Sequence, residues 1–143
     1  MKVREELPGK VSVWEGYAGC STEANLAEAE DEHGNKFQIL KAGDRVTLHM
    51  PMVLELPITM LACARLGVIH SEVYGGFSGT ACGERIADSG SRVLITSDGY
   101  HRSGKLLDHK INADIAVDVA TKEGQEVDKV LVWRRYAGKY VSE

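Results

Sequence analysis

Apolar residues in the middle of the chain follow two different spacings, and these predict alternating strands and helices. The first clear strand covers 45–50, where every second residue is apolar. A long apolar stretch then predicts a helix that starts near Leu54 and ends at Gly67, since Pro57 is tolerated only in the first turn of a helix. Because apolar residues lie on several sides of this helix, we expect it to be buried on most sides.

A strand, a helix and a further strand follow. Residues 68–74 predict the strand, and the bend at 75–76 is favoured because glycine carries no Cβ. Ser78 is placed to cap a helix that ends at Gly90. The apolar run 92–96 predicts the next strand, and the whole forms a βαβ unit with a right-handed crossover between parallel strands.

The N-terminal part carries weaker patterns. Residues 11–14 alternate and predict a short strand. Helical propensity over 22–32 predicts a helix with a solvated acidic face, capped by Ser21 or Thr22. The segment 33–35, His-Gly-Asn, should end that helix.

The C-terminal part predicts one more helix and one more strand. Beyond Lys105, apolar residues recur at every fourth position and predict an amphipathic helix that reaches about Thr121. Its apolar face consists of Leu107, Ile111, Ile115 and Val119. Residues 130–133 predict the last strand, and the residues from Arg134 onward predict an unpaired tail. The alternation predicts an α/β fold, a three-layer sandwich in which helices cover both faces of a mostly parallel sheet.

Composition narrows the function classes. The chain has 143 residues, of which 43% are hydrophobic, so one domain with a substantial core is expected. A net charge of -4 argues against a general nucleic-acid or membrane-surface protein. No apolar run is long enough to span a bilayer, and the first residues lack the apolar core of a signal peptide, so we expect a cytoplasmic location.

Cysteines and histidines predict no metal site. The three cysteines, Cys20, Cys63 and Cys82, include no close-spaced pair, and we expect neither disulfides nor zinc. The five histidines show no metal-ligand spacing either. His49 and His70 fall in predicted strands, where a hydrogen-bonded core or edge histidine is more common than a ligand.

One candidate site remains at the carboxyl edge of the sheet. The bend at 75–76 and the turn at 97–104 both follow parallel strands, so they should share this edge. Arg102 and Lys105 then lie near bare backbone and a helix N-terminus, which together suit a phosphate group. A simpler interpretation stays open: the glycines form only a tight connection, and the two cations are solvated. Elsewhere, Arg85 lies near the polar residues Asp88, Ser89 and Ser91. This group could suggest catalysis, but hydrogen bonding at the end of a helix explains it equally well.

Residues 43–96 resemble the N-terminal part of the AMP-forming acetyl-CoA synthetases, which are adenylate-forming ligases. The motifs that carry the resemblance are Met50-Pro51-Met52, Met60 to Arg65, Gly75 to Ser78, Arg85-Ile86 and Asp88-Ser89. The similarity extends to about Trp133. It divides the chain into a poorly matching segment 1–42, an α/β subdomain 43–135 and a tail 136–143.

The resemblance implies an enzyme that uses acetate, ATP and coenzyme A. Family members form acetyl-adenylate and pyrophosphate with the help of Mg²⁺, and then transfer the acetyl group to the thiol of coenzyme A. The residues that match the family's contacts to the nucleotide end of coenzyme A are Tyr74, Gly75, Gly76, Arg102, Ser103, Gly104 and Lys105. Lys105 stands where the family usually has arginine, so it keeps the charge but loses the bidentate geometry. No catalytic residue and no metal ligand is implied for this chain.

The family's remaining machinery matches nothing in this sequence. Its loop for the ATP phosphates, its adenine and acetate pockets and its adenylation lysine lie downstream of the matched region. We therefore expect a piece of the N-terminal domain, either a split-gene product or an expressed fragment, that is inactive alone. Its expected partners are the remainder of a split synthetase and, through exposed apolar surface, other copies of the chain. The alternative is a free-standing α/β module that binds a nucleotide or a partner without catalysis. Whether the acid is acetate or slightly longer stays open.

Overall fold

The structure, a computed structural model, describes residues 4–5, 11–14, 28–30, 36–38 and 40–136. Within these residues the strands are β1 (Arg4–Glu5), β2 (Val11–Trp14), β3 (Glu28–Glu30), β4 (Lys36–Gln38), β5 (Arg45–Met50), β6 (Ile69–Tyr74), β7 (Val93–Ser97), β8 (Gly99–Arg102), β9 (Lys105–Asp108) and β10 (Lys129–Trp133). The helices of the same residues are α1 (Glu55–Leu66), α2 (Gly79–Ser89) and α3 (Lys110–Lys122).

The main sheet has the strand order β1-β2-β10-β7-β5-β6. Neighbouring strands from β2 to β6 are parallel, and β1 is antiparallel to β2. One face packs against α1 through a buried apolar cluster that includes Leu56, Ala62 and Cys63. The other face packs against α2 and α3. The predicted mostly parallel α/β sandwich is therefore confirmed.

The central strands are buried on both faces. All of β7 is buried, and so is β5 from Val46 to Met50. Thr47, His49 and Thr96 therefore lie in the core although they are polar. Apolar alternation located β5 correctly, but helices cover both faces of a central parallel strand, so its polar positions are buried as well.

The ends of α1 agree with the prediction, whereas its burial does not. The N-cap is Leu54, and Gly67 ends the helix in the left-handed conformation with φ of 71°. Only one side of α1 packs on the sheet. Leu54, Ile58 and Leu61 are 78%, 39% and 67% exposed, so the expectation of burial on most sides is wrong. Helix hydrophobicity alone does not determine what covers each side.

The predicted caps of α2 are both confirmed. Ser78 has extended backbone geometry, and its Oγ accepts a hydrogen bond from the Ala81 N–H at 3.2 Å. Gly90 ends the helix with φ of 62°. Glycine suits this position because left-handed geometry is costly for residues with a Cβ.

A hairpin replaces the predicted start of the last helix. Leu107 was expected on that helix, but it lies in β9, which pairs antiparallel with β8. The connecting residues Ser103 and Gly104 both have positive φ, 52° and 75°, which is typical of a two-residue hairpin turn. The helix begins only at Lys110 because this turn chemistry holds the preceding residues in a hairpin.

The apolar face predicted for α3 is not its buried face. Ile111 and Ile115 are 47% and 41% exposed. The fully buried residues of the helix are instead Ala113, Ala116 and Ala120. These small side chains let α3 lie close to the sheet, and the larger Ile111 and Ile115 stay partly exposed.

The helix predicted over 22–32 is wrong where the structure describes those residues. Residues 28–30 form β3 and pair antiparallel with β4, so they are not part of a helix over 22–32. Helix propensity is a weak preference that strand pairing overrides. The proposed cap at Ser21 or Thr22 and the break at 33–35 lie outside the described residues. The strand β2 is confirmed, and the division into segments stays a prediction.

The two described cysteines behave as buried apolar side chains. Cys63 and Cys82 are both fully buried and free. Burial raises the pKa of the Cys63 thiol to about 11 and that of the Cys82 thiol to about 12. Both therefore stay neutral near pH 7. Cys20 lies outside the described residues. As for membranes, none of the described helices has the length and apolar character needed to cross one.

Candidate functional site

A cavity of about 360 Å³ opens at the carboxyl edge of the main sheet. Its walls come from four segments at or near strand ends: 51–53, 74–76, 100–102 and 135–136. Parallel strands bring their carboxyl ends to one edge, which is where ligands of such sheets usually bind. The glycine bend and Arg102, which were predicted to share this edge, therefore lie at one cavity.

Gly75 and Gly76 are needed for close approach. A Cβ on Gly75 would lie 2.9 Å from backbone atoms of Met50 and Pro51. A Cβ on Gly76 would overlap the Tyr74 ring and would lie 3.3 Å from Nη1 of Arg102. Neither glycine has positive φ. The bend lies where the sequence predicts it. Glycine is needed there because a Cβ would clash with neighbouring atoms, and not because the backbone adopts a positive φ.

The seven residues predicted for the site separate into two groups. Those that line the cavity are Tyr74, Gly75, Gly76 and Arg102. Ser103, Gly104 and Lys105 lie at the exposed tip and start of the β8–β9 hairpin, outside the cavity wall.

Tyr100 connects the hairpin to the glycine bend, although no sequence pattern marks it as a site residue. Its hydroxyl donates a hydrogen bond to the Gly75 carbonyl at 3.2 Å. Its ring packs edge-on against His109 with 5.3 Å between centroids. These contacts hold the wall that carries Arg102 against the bend at 75–76.

Asp98 anchors the fourth wall. Its side chain is almost fully buried, and its carboxylate accepts hydrogen bonds from the backbone N–H groups of Arg135 at 3.1 Å and Tyr136 at 2.7 Å. The prediction of an unpaired tail from Arg134 onward is therefore wrong for these residues. The shared-edge rule applies equally to the residues that follow β10, because β10 is parallel to β7. That rule was the available signal.

Aromatic rings border the cavity and its neighbourhood. Tyr74 and Phe77 are 46% and 44% exposed and meet edge-to-face at 6.3 Å. The Arg85 guanidinium lies 5.0 Å from the centre of the Phe77 ring.

Near the end of α2, the Ser89 hydroxyl donates to the Ile86 carbonyl at 3.2 Å. This contact agrees with a helix-end role for the polar residues there.

A buried histidine pair lies behind the Tyr100 wall. The rings of His49 and His109 are 4.3 Å apart, and Nε2 of His109 is 3.1 Å from the His49 carbonyl, to which its N–H donates. Burial, and then the charge of His109, lowers the pKa of His49 to about 4, against a smaller opposing effect of the Phe77 carbonyl. Burial also lowers the pKa of His109. His49 is therefore a core residue as predicted, but neither of its ring nitrogens has a hydrogen-bond partner among the described residues.

The charge of the cavity wall differs from that of the chain. The chain has a net charge of -4, yet the wall contains Arg102, Arg135 and His101 and no acidic side chain. Within residues 40–136 neither arginine forms an ion pair. Two guanidinium groups beside bare backbone form a suitable environment for an anionic ligand.

Comparison with known proteins identifies the family. The family model for AMP-binding enzymes matches residues 24–139. The chain belongs to this family. It is 48% identical over 114 residues to acetyl-coenzyme A synthetase of Rhizobium rhizogenes, which covers 80% of this chain and 17% of that protein. It is 51% identical over 104 residues to that of Rhizobium meliloti, covering 73% and 16%. The resemblance to acetyl-CoA synthetases is thus confirmed.

Two further comparisons show the extent of the match. Acetyl-coenzyme A synthetase of Brucella canis is 43% identical over 130 residues, which is 91% of this chain and 19% of that protein. The chain thus spans less than a fifth of the length of these relatives. The solved structure of acetoacetyl-CoA synthetase from Streptomyces lividans matches with a TM-score of 0.59 and 20% identity, over 72% of this chain and 15% of that one. At this identity the likeness shows a common fold.

Proposed function

We propose that this chain forms part of an AMP-forming acetyl-CoA synthetase and carries one wall of its coenzyme A site. The complete enzyme would activate acetate with ATP to acetyl-AMP and transfer the acetyl group to coenzyme A. Relatives named acetyl-coenzyme A synthetase at 43–51% identity support this assignment. The cytoplasmic location stays a prediction.

The observation that carries the proposal is the proximity of Arg102 to the glycine bend. A Cβ built on Gly76 would lie only 3.3 Å from Nη1 of Arg102, so the Gly76 backbone and the Arg102 guanidinium lie side by side. A phosphate-bearing ligand fits such a surface because the planar guanidinium binds phosphate oxygens through two N–H groups. Tyr74 offers a ring for stacking on a base. We propose that Ser103, Gly104 and Lys105 contact a part of coenzyme A that extends beyond the cavity.

The chain alone is expected to lack activity. Forming an acyl-adenylate requires groups that stabilise charge on the transferring phosphates, including Mg²⁺. Within the described part of the chain, no group of three or more His, Cys, Asp or Glu side chains can hold a metal ion. We propose that the groups for acetate activation belong to the remainder of the synthetase, as the family resemblance implies.

An exchange assay tests the assignment to a synthetase. The purified chain should give no acetate-dependent exchange between ATP and pyrophosphate, and activity should appear after addition of a polypeptide that covers the rest of an acetyl-CoA synthetase. Clear turnover by the chain alone would contradict the expected inactivity. Failure to complement, together with tight binding of an unrelated ligand, would favour a free-standing binding module.

A binding titration tests the coenzyme A site. One wall of a site should bind coenzyme A with a Kd of about 1 mM, a range that NMR chemical-shift titration measures well. Arg102→Ala should raise the Kd about tenfold because it removes a charge-assisted contact. Lys122→Gln, at the opposite end of α3, is the control for net charge. An unchanged Kd for Arg102→Ala would remove Arg102 from the site.

A further inference from the structure

The segment after β10 is held in place at two points. Its backbone is fixed by Asp98, which is 3% exposed and whose own N–H donates to the Trp133 carbonyl at 3.1 Å. Its side-chain contact is between the Tyr136 hydroxyl and Nδ1 of His101, 3.0 Å apart. A buried carboxylate that lost its two N–H donors would be left without hydrogen bonds, so this arrangement is costly to disturb. The position of Arg135 is therefore defined although its side chain is exposed.

The guanidinium of Arg135 is oriented by two aromatic rings. Its central carbon lies 5.6 Å from the centre of the Trp133 ring and 5.6 Å from the centre of the Tyr136 ring. These contacts restrict the side chain but leave its N–H groups available for a ligand. A ring face attracts the positive charge electrostatically and does not accept conventional hydrogen bonds. Arg135 and Arg102 belong to different walls of the same cavity.

We propose that Arg135 is a second anion-binding residue of the cavity and that Asp98 is the positioning residue that presents it. This inference rests on the proposed coenzyme A site and extends it. Arg102 and Arg135 approach the ligand from two walls, so the cavity should prefer ligands with two separate phosphate centres. Coenzyme A, with a pyrophosphate and a ribose phosphate, belongs to this class, whereas a nucleoside monophosphate does not.

NMR titrations with coenzyme A, AMP and inorganic pyrophosphate test the role of Arg135. Arg135→Gln should raise the Kd for coenzyme A about tenfold and should reduce the preference for coenzyme A over AMP. Arg135→Lys should recover part of the affinity because charge is kept while the planar geometry is lost. Lys122→Gln removes the same charge far from the cavity and should leave the Kd unchanged.

The outcomes separate this inference from the proposed function. If Arg102→Ala weakens coenzyme A binding and Arg135→Gln does not, the role of Arg135 is refuted and the proposed site stands. If coenzyme A does not bind but pyrophosphate binds and is weakened by Arg135→Gln, the anion site stands and the proposed ligand is refuted. If neither probe binds, both are refuted.

A double-mutant comparison tests Asp98. Asp98→Asn keeps one acceptor oxygen but cannot accept both N–H groups, so it should weaken coenzyme A binding through Arg135. The double variant with Arg135→Gln should then bind no more weakly than Arg135→Gln alone. Additive losses would show that Asp98 acts on the fold and not through Arg135. Asp98→Glu, which keeps the charge and shifts the carboxylate, provides the same comparison if Asp98→Asn does not fold.

Discussion

His49 shows how strongly one residue depends on its surroundings. Its strand position predicted a core or edge histidine, and it is fully buried next to His109. With no partner for either ring nitrogen among the described residues, the neutral ring is the favoured form. Folding therefore competes with protonation of this side chain.

Stability should fall in mild acid because of His49. Its pKa is 6.5 unfolded and about 4 folded, so the unfolded chain takes up the proton first. The stability that neutral His49 provides is complete above pH 6.5 and is lost as the pH falls towards 4, a change of about 3 kcal/mol. Urea unfolding across this range should show a shallower decline for His49→Gln than for the unmodified chain. Parallel curves would contradict this expectation.

At the scale of elements, glycines determine how α2 and α3 pack. A Cβ on Gly79 would lie 2.7 Å from Cβ of Ile115, and one on Gly83 would lie 2.6 Å from Cβ of Val119. Both distances are too short for carbon atoms, so only glycine permits this separation of the two helices. The same contact places Ile115 and Val119 at the junction of the helices and leaves the alanines of α3 to face the sheet.

Gly83→Ala should destabilise the protein although alanine is the better helix former. The added Cβ also meets the Ala116 carbonyl oxygen at 2.7 Å, so backbone must move. We expect a loss of about 1–3 kcal/mol in the free energy of unfolding, which exceeds the helix-propensity gain of about 1 kcal/mol. Thr80→Ala, at an exposed position of the same helix, is the matched control and should change stability little. A stabilising Gly83→Ala would show that the helices separate easily.

At the scale of the whole molecule, α1 leaves one apolar side uncovered. Leu54, Ile58 and Leu61 recur at helical spacing and are 78%, 39% and 67% exposed. Such a stripe on an isolated chain favours association, because water contact with apolar surface is unfavourable.

We therefore expect the isolated chain to self-associate through α1. Leu61→Lys should shift the population towards monomer in sedimentation velocity experiments, because a charge in the contact opposes its burial. Ile111→Lys, on the other face of the sheet at 47% exposure, is the control and should leave association unchanged. A monomeric unmodified chain would contradict the expectation.

The sequence by itself determined the elements that depend on near neighbours. The strand β5, the ends of α1 and the caps of α2 follow from apolar spacing, one proline, one serine and two glycines, all acting within a few residues. A topological rule adds to these local signals: parallel strands end at a shared edge, which predicts that Gly76 and Arg102 lie near one another.

Only the tertiary structure decided the features that depend on distant residues. The buried face of α3 depends on Gly79 and Gly83 of α2. Leu107, whose spacing predicts that it belongs to the last helix, lies instead in the β8–β9 hairpin. Asp98 bonds to amides 37 and 38 positions further along the chain, which no local pattern encodes. Space and hydrogen-bond partners across the sheet edge are properties of the packed molecule, so the contacts that hold the fourth wall and orient Arg135 emerged only with the fold.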